Sequence, residues 1–119
     1  MKNTLVFGVS LKPNRYSNIA IHRLVDKGIT TQAFGLRNGT VKGVEISTSL
    51  DGFQDIHTIT LYINPIRQQE YYQSILALNP KRVLFNPGTE NPELYQILKE
   101  NGIEVEVACT LVLLGTRQY

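Results

Sequence analysis

The chain has 119 residues, which we expect to form one domain with a sheet and a layer of helices, without room for a second domain. Hydrophobic residues make up 42% of the sequence and charged residues 18%, which predicts a folded chain rather than a disordered one. The formal net charge is +2 and the basic residues are scattered, so we expect no nucleic-acid-binding surface.

Other features of the composition narrow the class of protein further. No apolar run reaches the length of a membrane span, and the first residues lead into a strand pattern rather than a signal peptide. Cys109 is the single cysteine, so we expect no internal disulfide, and with only His22 and His57 beside it we expect no metal site. These features predict a cytoplasmic protein without a membrane partner.

Apolar runs typical of strands alternate along the chain with segments of helical periodicity. Residues 38–49 contain glycine turns and predict only short extended pieces, while residues 110–114 suit a strand or a helix equally. In chain order we expect a strand over 4–9, a helix over 17–27, strands over 30–34 and 58–63, a helix over 65–78, a strand over 82–85, a helix over 92–101 and a strand over 104–107.

Capping residues support the limits of the predicted helices. Ser17 suits the N-cap of the first helix, and Gly28 suits its C-terminal stop. Asn64 and Asn91 each precede a proline, which is favoured at the first helical position. Gly102 then closes the last of these helices.

The alternation of strands and helices indicates βαβ units, whose strands run parallel. The predicted fold is α/β, a Rossmann-like three-layer sandwich with a mainly parallel five-stranded sheet, and residues 1–119 are predicted to form a single domain. In such sheets, ligands bind outside the carboxyl ends of the strands. The turns that follow the strands are therefore the predicted site.

The loop between the first strand and the first helix is predicted to bind an anion. It ends at a helix N-terminus, where free N–H groups and the helix dipole favour a phosphate. Gly8 permits close approach of the backbone, Ser10 and Ser17 offer hydroxyls, and Lys12 and Arg15 offer positive charge. The alternative is an ordinary connection in which Ser17 is only a helix cap and the cations are solvated.

Two features count against a nicotinamide dinucleotide site of the NAD type. The first loop lacks the later glycines of the G-x-G-x-x-G pattern. The second strand ends in Gly35-Leu36-Arg37, where a site for NAD needs a carboxylate that accepts from the ribose 2′-hydroxyl. A cation there suits a phosphorylated ribose, which both NADP and coenzyme A carry.

Four segments together resemble the small CoA-binding domain proteins, which are Rossmann-like domains similar to the CoA-binding domain of the succinyl-CoA synthetase alpha subunit. The resemblance covers nearly the whole chain and implies that coenzyme A or an acyl-CoA binds along the strand ends. The segments that carry it are residues 8–17, Gly35-Leu36-Arg37, Tyr62-Ile63-Asn64-Pro65 and residues 85–91.

The resemblance also implies a part for each turn. By that likeness the first loop holds the pyrophosphate and the end of the second strand lies beside the adenosine. The third turn meets the ribose or pantetheine, and the fourth borders the end of the pantetheine. The implied contacts are Gly8, Ser10, Lys12, Arg15 and Ser17 in the first segment, Gly35, Leu36 and Arg37 in the second, Tyr62, Asn64 and Pro65 in the third, and Asn86, Pro87 and Gly88 in the fourth.

Two departures from the family limit what the resemblance carries over. Many relatives have an Asn-Pro pair after the second strand, whereas this chain has Leu36-Arg37. The second domain of the synthetase, with its phosphorylated histidine, has no counterpart in the 119 residues. The ligase activity of that enzyme is therefore not expected here.

No catalytic group is visible in the sequence. Cys109 follows the fifth strand and could meet the thiol of coenzyme A, but we favour a packing role for it. No Ser–His–Asp or Cys–His pairing is supported by placement. We therefore expect a non-catalytic or regulatory protein that binds a small nucleotide ligand.

Three alternatives to this expectation stay open at the level of sequence. The chain could be an NADP-type oxidoreductase or a minimal acyl-CoA enzyme. It could also be an interaction protein that keeps the fold without the ligand. The sequence does not decide between a monomer, a homodimer and a complex with another protein.

Overall fold

A computed structural model describes residues 2–119. These residues form seven strands, five α-helices and one 3₁₀ turn. In chain order they are β1 (Thr4–Phe7), α1 (Tyr16–Asp26), β2 (Thr31–Phe34), β3 (Gly39–Val41), β4 (Val44–Ser47), β5 (Thr58–Leu61), α2 (Pro65–Gln68), the 3₁₀ turn (Gln69–Tyr71), α3 (Tyr72–Leu78), β6 (Arg82–Phe85), α4 (Pro92–Glu100), β7 (Glu104–Val107) and α5 (Thr110–Gly115).

The strands form one sheet in the order β3-β4-β2-β1-β5-β6-β7. All neighbouring pairs are parallel except β3 and β4, which are antiparallel. From β1 the sheet grows through β2 in one direction and through β5 in the other, so the strand order reverses beside β1. This is the topology of a Rossmann-like α/β fold, as the sequence predicts.

The prediction of five strands is wrong, because residues 39–47 add two more. They form a hairpin that joins the sheet when β4 pairs with β2. The hairpin turns at Lys42 and Gly43, whose φ angles of 50° and 80° are both positive, as the tightest hairpin turns require. The short extended pieces expected over residues 38–49 are these two strands, but three and four residues around a Lys-Gly turn give too short an alternation of apolar and polar side chains to predict that they join the sheet.

Alternate residues of β1 point to opposite faces of the sheet, and this divides the core in two. Leu5 and Phe7 belong to one buried cluster and Val6 to the other. The first cluster also contains Ile75 of α3 with Leu94 and Leu98 of α4, and the second contains Ile21 and Leu24 of α1 with Leu114 of α5. Helices therefore cover both faces, which confirms the three-layer arrangement.

Asparagine caps start two of the helices as predicted. The Asn64 side chain accepts a hydrogen bond of 2.9 Å from the Arg67 N–H, and the Asn91 side chain accepts one of 3.3 Å from the Leu94 N–H. The expectation for Ser17 is wrong, because α1 begins one residue earlier and Arg15 occupies the N-cap without a side-chain hydrogen bond. Ser17 is buried and bonds to the preceding loop instead.

Two further elements refine the predicted pattern. The expected helix over 65–78 is divided by the 3₁₀ turn. It ends at Leu78 as predicted, and Asn79 caps it with a left-handed φ of 48° in front of Pro80. Residues 110–114, left open by the sequence, lie in helix α5. Among residues 2–119 there is no helix with the length and apolar character needed to cross a bilayer.

Candidate functional site

A pocket of about 460 Å³ opens at the carboxyl ends of β1, β2 and β5, where the strand order reverses. Parallel strands bring the turns that follow them to the same edge of the sheet, so segments distant in sequence meet here. The lining residues are Gly8, Val9, Ser10, Leu11, Lys12, Phe34, Gly35, Leu36, Arg37, Tyr62, Ile63, Asn64, Arg67 and Tyr71.

Two glycines let the three strand ends approach each other closely. Gly8 has a φ of +101°, and a Cβ on it would lie 2.6 Å from Cγ2 of Ile63. A Cβ on Gly35 would lie 2.7 Å from the carbonyl oxygen of Val9. Both distances are shorter than carbon and oxygen atoms tolerate, so larger residues would push the walls of the pocket apart.

The first loop is held in shape by its own serines. The Ser10 N–H donates to the Ser17 hydroxyl at 3.0 Å, and the Lys12 N–H donates to the Ser10 hydroxyl at 3.1 Å. The Asn18 side chain also donates to the Ser10 carbonyl oxygen at 3.0 Å. These bonds order the backbone from Ser10 to Lys12, and in them the two serine hydroxyls predicted to meet a phosphate act as acceptors within the loop.

The charge of the pocket is positive on three sides. Lys12 comes from the first loop, Arg37 follows β2, and Arg67 lies in α2. None of the lining residues is acidic. The ion pairs within the described residues are Lys42–Asp26 and Arg82–Glu106, so the three cations of the pocket are not neutralised by carboxylates of residues 2–119. Such an arrangement attracts a ligand with more than one negative group.

The same pocket has an aromatic wall. Phe34 and Tyr71 line it, and their rings meet edge to face with centroids 5.6 Å apart. Both rings also contact Phe7 in the core, at 4.8 and 5.3 Å. Leu36, which is 66% exposed, completes this side of the pocket. A flat apolar group such as a nucleotide base would find contact area beside the cations.

Tyr62 lines the pocket, but its hydroxyl oxygen is buried without a hydrogen-bond partner. Burial raises the pKa of Tyr62 to about 12, although the nearby Thr60 and Thr110 hydroxyls act in the opposite direction. Those two hydroxyls bond to each other at 2.8 Å. Tyr62 therefore stays protonated near neutral pH and offers the pocket its ring rather than an acid or a base.

The pocket brings together part of the predicted contact set. Those that line it are Gly8, Ser10, Lys12, Gly35, Leu36, Arg37, Tyr62 and Asn64. Those outside its lining are Arg15, Ser17, Pro65, Asn86, Pro87 and Gly88. Pro65 adjoins lining residue Asn64, whereas the other five lie in the helix start after the first loop or in the turn after β6.

Asn86 has a structural part in the fold. Its amide nitrogen donates to the Thr60 hydroxyl at 2.8 Å and to the Leu61 carbonyl oxygen at 3.0 Å. Its amide oxygen accepts from the Thr110 N–H at 2.8 Å. Asn86 is 1% exposed, so this side chain joins β5, β6 and α5 from within the core.

Gln68 supports the wall of the pocket from within the core, and no sequence pattern predicted this role. It is fully buried, and its amide nitrogen donates to the carbonyl oxygens of Ile63 and Thr89, both at 2.8 Å. Ile63 lines the pocket, while Thr89 belongs to the turn after β6. Gln68 thus fixes the pocket wall to a neighbouring strand end.

Arg67 and Tyr71 are the pocket residues that matter most among those that the sequence did not predict. Arg67 lies three residues after the Asn64 cap, in the first turn of α2. The predicted cap therefore already indicated that Arg67 lies close to the carboxyl edge of the sheet. Tyr71 reaches the pocket from the 3₁₀ turn, and no local pattern predicted that break in the helix. Cys109, half-buried at the N-cap of α5, lies outside the lining.

Comparisons with known proteins agree on the fold. A family model described as a CoA binding domain matches residues 2–115. The crystal structure of an uncharacterized protein covers 100% of this chain and 98% of its own, with 45% identity and a TM-score of 0.96. A hypothetical protein from Pyrococcus horikoshii OT3 covers 98% of this chain and 83% of its own, with 24% identity and a TM-score of 0.87.

A larger enzyme contains the same fold as one part of its chain. An acetyl-coenzyme A synthetase from Ca. Korarchaeum cryptofilum, in complex with phosphate and ADP, covers 87% of this chain and 25% of its own. Its sequence is 11% identical and its TM-score is 0.71, so the likeness is one of fold. No curated protein matches the chain in sequence.

Proposed function

The chain belongs to the CoA-binding domain family, and from this premise we propose that it binds coenzyme A or an acyl-CoA in the pocket at the carboxyl edge of the sheet. We further propose that residues 1–119 act together as a single binding domain. The family model spans residues 2–115, which include every lining residue of the pocket.

The observation that carries this proposal is the charge of the pocket. Lys12, Arg37 and Arg67 reach it from three segments, and the lining contains no carboxylate. Coenzyme A carries a pyrophosphate and a 3′-phosphate, which need several cations at separate points. NAD has a free ribose 2′-hydroxyl, and sites for it supply an acidic residue that accepts from that hydroxyl. The charge therefore favours coenzyme A over NAD.

The proposed ligand lies across the strand ends from β2 towards β6. We place the pyrophosphate on the first loop with Lys12, and the 3′-phosphate between Arg37 and Arg67. The adenine then contacts Leu36 and the aromatic wall, and the pantetheine passes Asn64 and Pro65. Its far end approaches the turn of Asn86, Pro87 and Gly88 after the next strand, with Arg15 and Ser17 supporting the first loop from α1.

We propose a binding or regulatory role for this pocket. Lys12, Arg37 and Arg67 suit the neutralisation of phosphates. Tyr62, with a pKa raised to about 12, is a poor proton donor or acceptor near neutral pH. The pocket side chains thus favour holding a nucleotide over reacting with it.

The test is a set of calorimetric titrations with coenzyme A, dephospho-CoA, NADP and NAD. We expect coenzyme A to bind most tightly and dephospho-CoA to bind more weakly, because it lacks the 3′-phosphate. If coenzyme A binds no better than NAD, the proposal fails. Mass spectrometry of ligand that co-purifies with the protein supplies a second check that needs no choice of ligand.

NADP is the second candidate ligand, because its 2′-phosphate can meet the same cations. Tighter binding of NADP than of coenzyme A, together with turnover of NADPH, would replace the proposal with an oxidoreductase. Hydrolysis of an acyl-CoA by the purified protein would instead assign a minimal acyl-CoA enzyme. Each assay is run beside the Arg67→Ala variant, which should lose activity that depends on the pocket.

A further inference from the structure

The turn after β6 carries a carboxylate that the backbone of the turn holds in place. The Thr89 N–H donates to the Asn86 carbonyl oxygen at 3.0 Å, which closes a β-turn whose third residue is Gly88. The φ of Gly88, +92°, is positive, as a type II turn requires at this position. The Gly88 N–H donates to the Glu90 carboxylate at 2.8 Å, so Glu90 folds back over the turn.

This turn is joined to the wall of the pocket. The Gln68 amide nitrogen donates to the Ile63 and Thr89 carbonyl oxygens, both at 2.8 Å, and Ile63 lines the pocket. β5 and β6 are parallel neighbours, so their carboxyl ends lie about 5 Å apart at the same edge. A Cβ on Gly88 would meet no atom within 4 Å, so the turn has open space beside it. A ligand that leaves the pocket across the end of β6 therefore passes close to Glu90.

The charge around the turn is opposite to that of the pocket. Residues 85–98 contain two acidic residues, Glu90 and Glu93, and no lysine or arginine. Two ion pairs occur within residues 2–119, and neither involves Glu90. Arg67 follows the neighbouring strand, but the proposed arrangement assigns it to the 3′-phosphate. The proposed site is therefore positive where the phosphates bind and negative where the pantetheine ends.

Two helices begin near this turn, and a helix N-terminus attracts anions through its free N–H groups and its dipole. At the start of α4 the Asn91 side chain accepts from the Leu94 N–H at 3.3 Å, and Glu93 lies in the first turn. At the start of α5 the Thr110 N–H donates to the Asn86 amide oxygen at 2.8 Å. These contacts and the charge of Glu93 weaken the attraction of both helix ends for a further anion.

From this distribution of charge, we propose that Glu90 makes the site select acyl-CoA ligands with an uncharged acyl group over those whose acyl group ends in a carboxylate. The inference rests on the proposed binding of coenzyme A with its pantetheine end at the turn after β6. An acyl group on that end extends past Glu90, whose carboxylate the Gly88 N–H holds at the turn. A terminal carboxylate on the ligand is then repelled by a like charge that no lysine or arginine of the turn offsets.

The experiment compares malonyl-CoA with acetoacetyl-CoA in calorimetric titrations near neutral pH, because the two acyl groups match in size and differ in the terminal carboxylate. We expect acetoacetyl-CoA to bind roughly three- to tenfold more tightly, and this ratio of affinities to shrink at high salt. Glu90→Gln keeps an oxygen that can accept from the Gly88 N–H, and it should bring the ratio close to one. Glu100→Gln removes the same charge at the far end of α4 and should leave the ratio unchanged.

Three results would overturn the selectivity alone. These are equal affinities for the two acyl-CoA ligands, tighter binding of malonyl-CoA, and a ratio that persists in Glu90→Gln. Each of them requires that an acyl-CoA binds, so the proposed function would stand. If coenzyme A and both acyl-CoA ligands fail to bind, the proposed function is contradicted, and the selectivity is contradicted with it.

Discussion

Inside the core, the Asn91 side chain donates a hydrogen bond of 2.9 Å to the amide oxygen of Gln68. Asn91 also caps α4, and Gln68 also bonds to the wall of the pocket through Ile63. One buried pair of amides therefore connects the start of a helix to the ligand-facing edge of the sheet.

Replacement of Gln68 by leucine should destabilise the protein by about 2–4 kcal/mol, because it leaves the buried carbonyl oxygens of Ile63 and Thr89 without these hydrogen bonds and removes one of the two that the Asn91 amide donates. Chemical unfolding in urea measures the change. The matched control is Gln96→Leu, where the side chain is exposed and makes a single long bond of 3.4 Å. If both variants lose the same stability, the buried amide pair does not hold the pocket wall.

Arg37→Ala and Arg67→Ala should each weaken coenzyme A binding by about 1–2 kcal/mol, or roughly 5- to 30-fold, because each removes a cation that meets a phosphate. The loss should shrink at high salt, since screening weakens the cation–phosphate interaction that each variant removes. For dephospho-CoA the effect of Arg37→Ala should nearly vanish. Arg23→Ala, an exposed arginine on the outer surface of α1, is the control in the same titrations.

Gly8→Ala and Gly88→Ala separate backbone strain from a steric clash. Both glycines have positive φ angles, +101° and +92°, but a Cβ on Gly88 meets nothing within 4 Å. We expect Gly88→Ala to cost about 1–2 kcal/mol from strain alone. Gly8→Ala should cost about 2 kcal/mol more, because its Cβ would press on Ile63. Equal losses of stability for the two variants in thermal unfolding would mean that Ile63 moves aside without an energetic cost.

Tyr62→Phe should keep or raise stability, by up to about 1–2 kcal/mol, because the buried hydroxyl that it removes has no hydrogen-bond partner. Tyr72→Phe is the contrast, since the Tyr72 hydroxyl bonds to Asn91 and Glu93, both at 2.9 Å. Tyr72→Phe should therefore lose stability in the same unfolding measurement. A loss at Tyr62 as large as that at Tyr72 would reveal a partner for its hydroxyl.

The raised pKa of Tyr62 predicts how the free energy of unfolding changes at alkaline pH. Its pKa is about 12 in the folded protein and 10 in the unfolded chain, so the folded state binds the proton more tightly. The contribution of Tyr62 to stability is complete below pH 10 and is lost as pH rises from 10 to 12. Urea unfolding at a series of pH values should show a shallower fall in Tyr62→Phe. An unchanged slope in the variant would contradict the raised pKa.

The strands and caps that depend on local chemistry could be predicted from the sequence. Strand residues 82–85 and 104–107 match their predicted limits, and the caps at Asn64 and Asn91 follow from the Asn-Pro pairs. Turns and short extended pieces are predicted over residues 38–49, but their pairing into the sheet is not, because the β3–β4 hairpin joins it through the contact of β4 with β2 rather than through its own composition.

The candidate site was predictable in place but only partly in its residues. Because β1, β2 and β5 are parallel, their carboxyl ends lie at the same edge of the sheet. Gly8, Gly35 and Tyr62 therefore line one pocket there. Sequence position could not show that the polar atoms of the Asn86 side chain form hydrogen bonds inside the core. It also could not show that the 3₁₀ turn brings Tyr71 against Phe34, because that contact exists only in three dimensions.

The aromatic wall gives the pocket a built-in optical reporter. The chain has six tyrosines and no tryptophan, so its intrinsic ultraviolet emission comes from tyrosine. Two of the six, Tyr62 and Tyr71, face the pocket, and a purine placed against the ring of Tyr71 would quench its emission. Occupancy of the pocket can therefore be followed in the unlabelled protein, without a dye or an added chromophore.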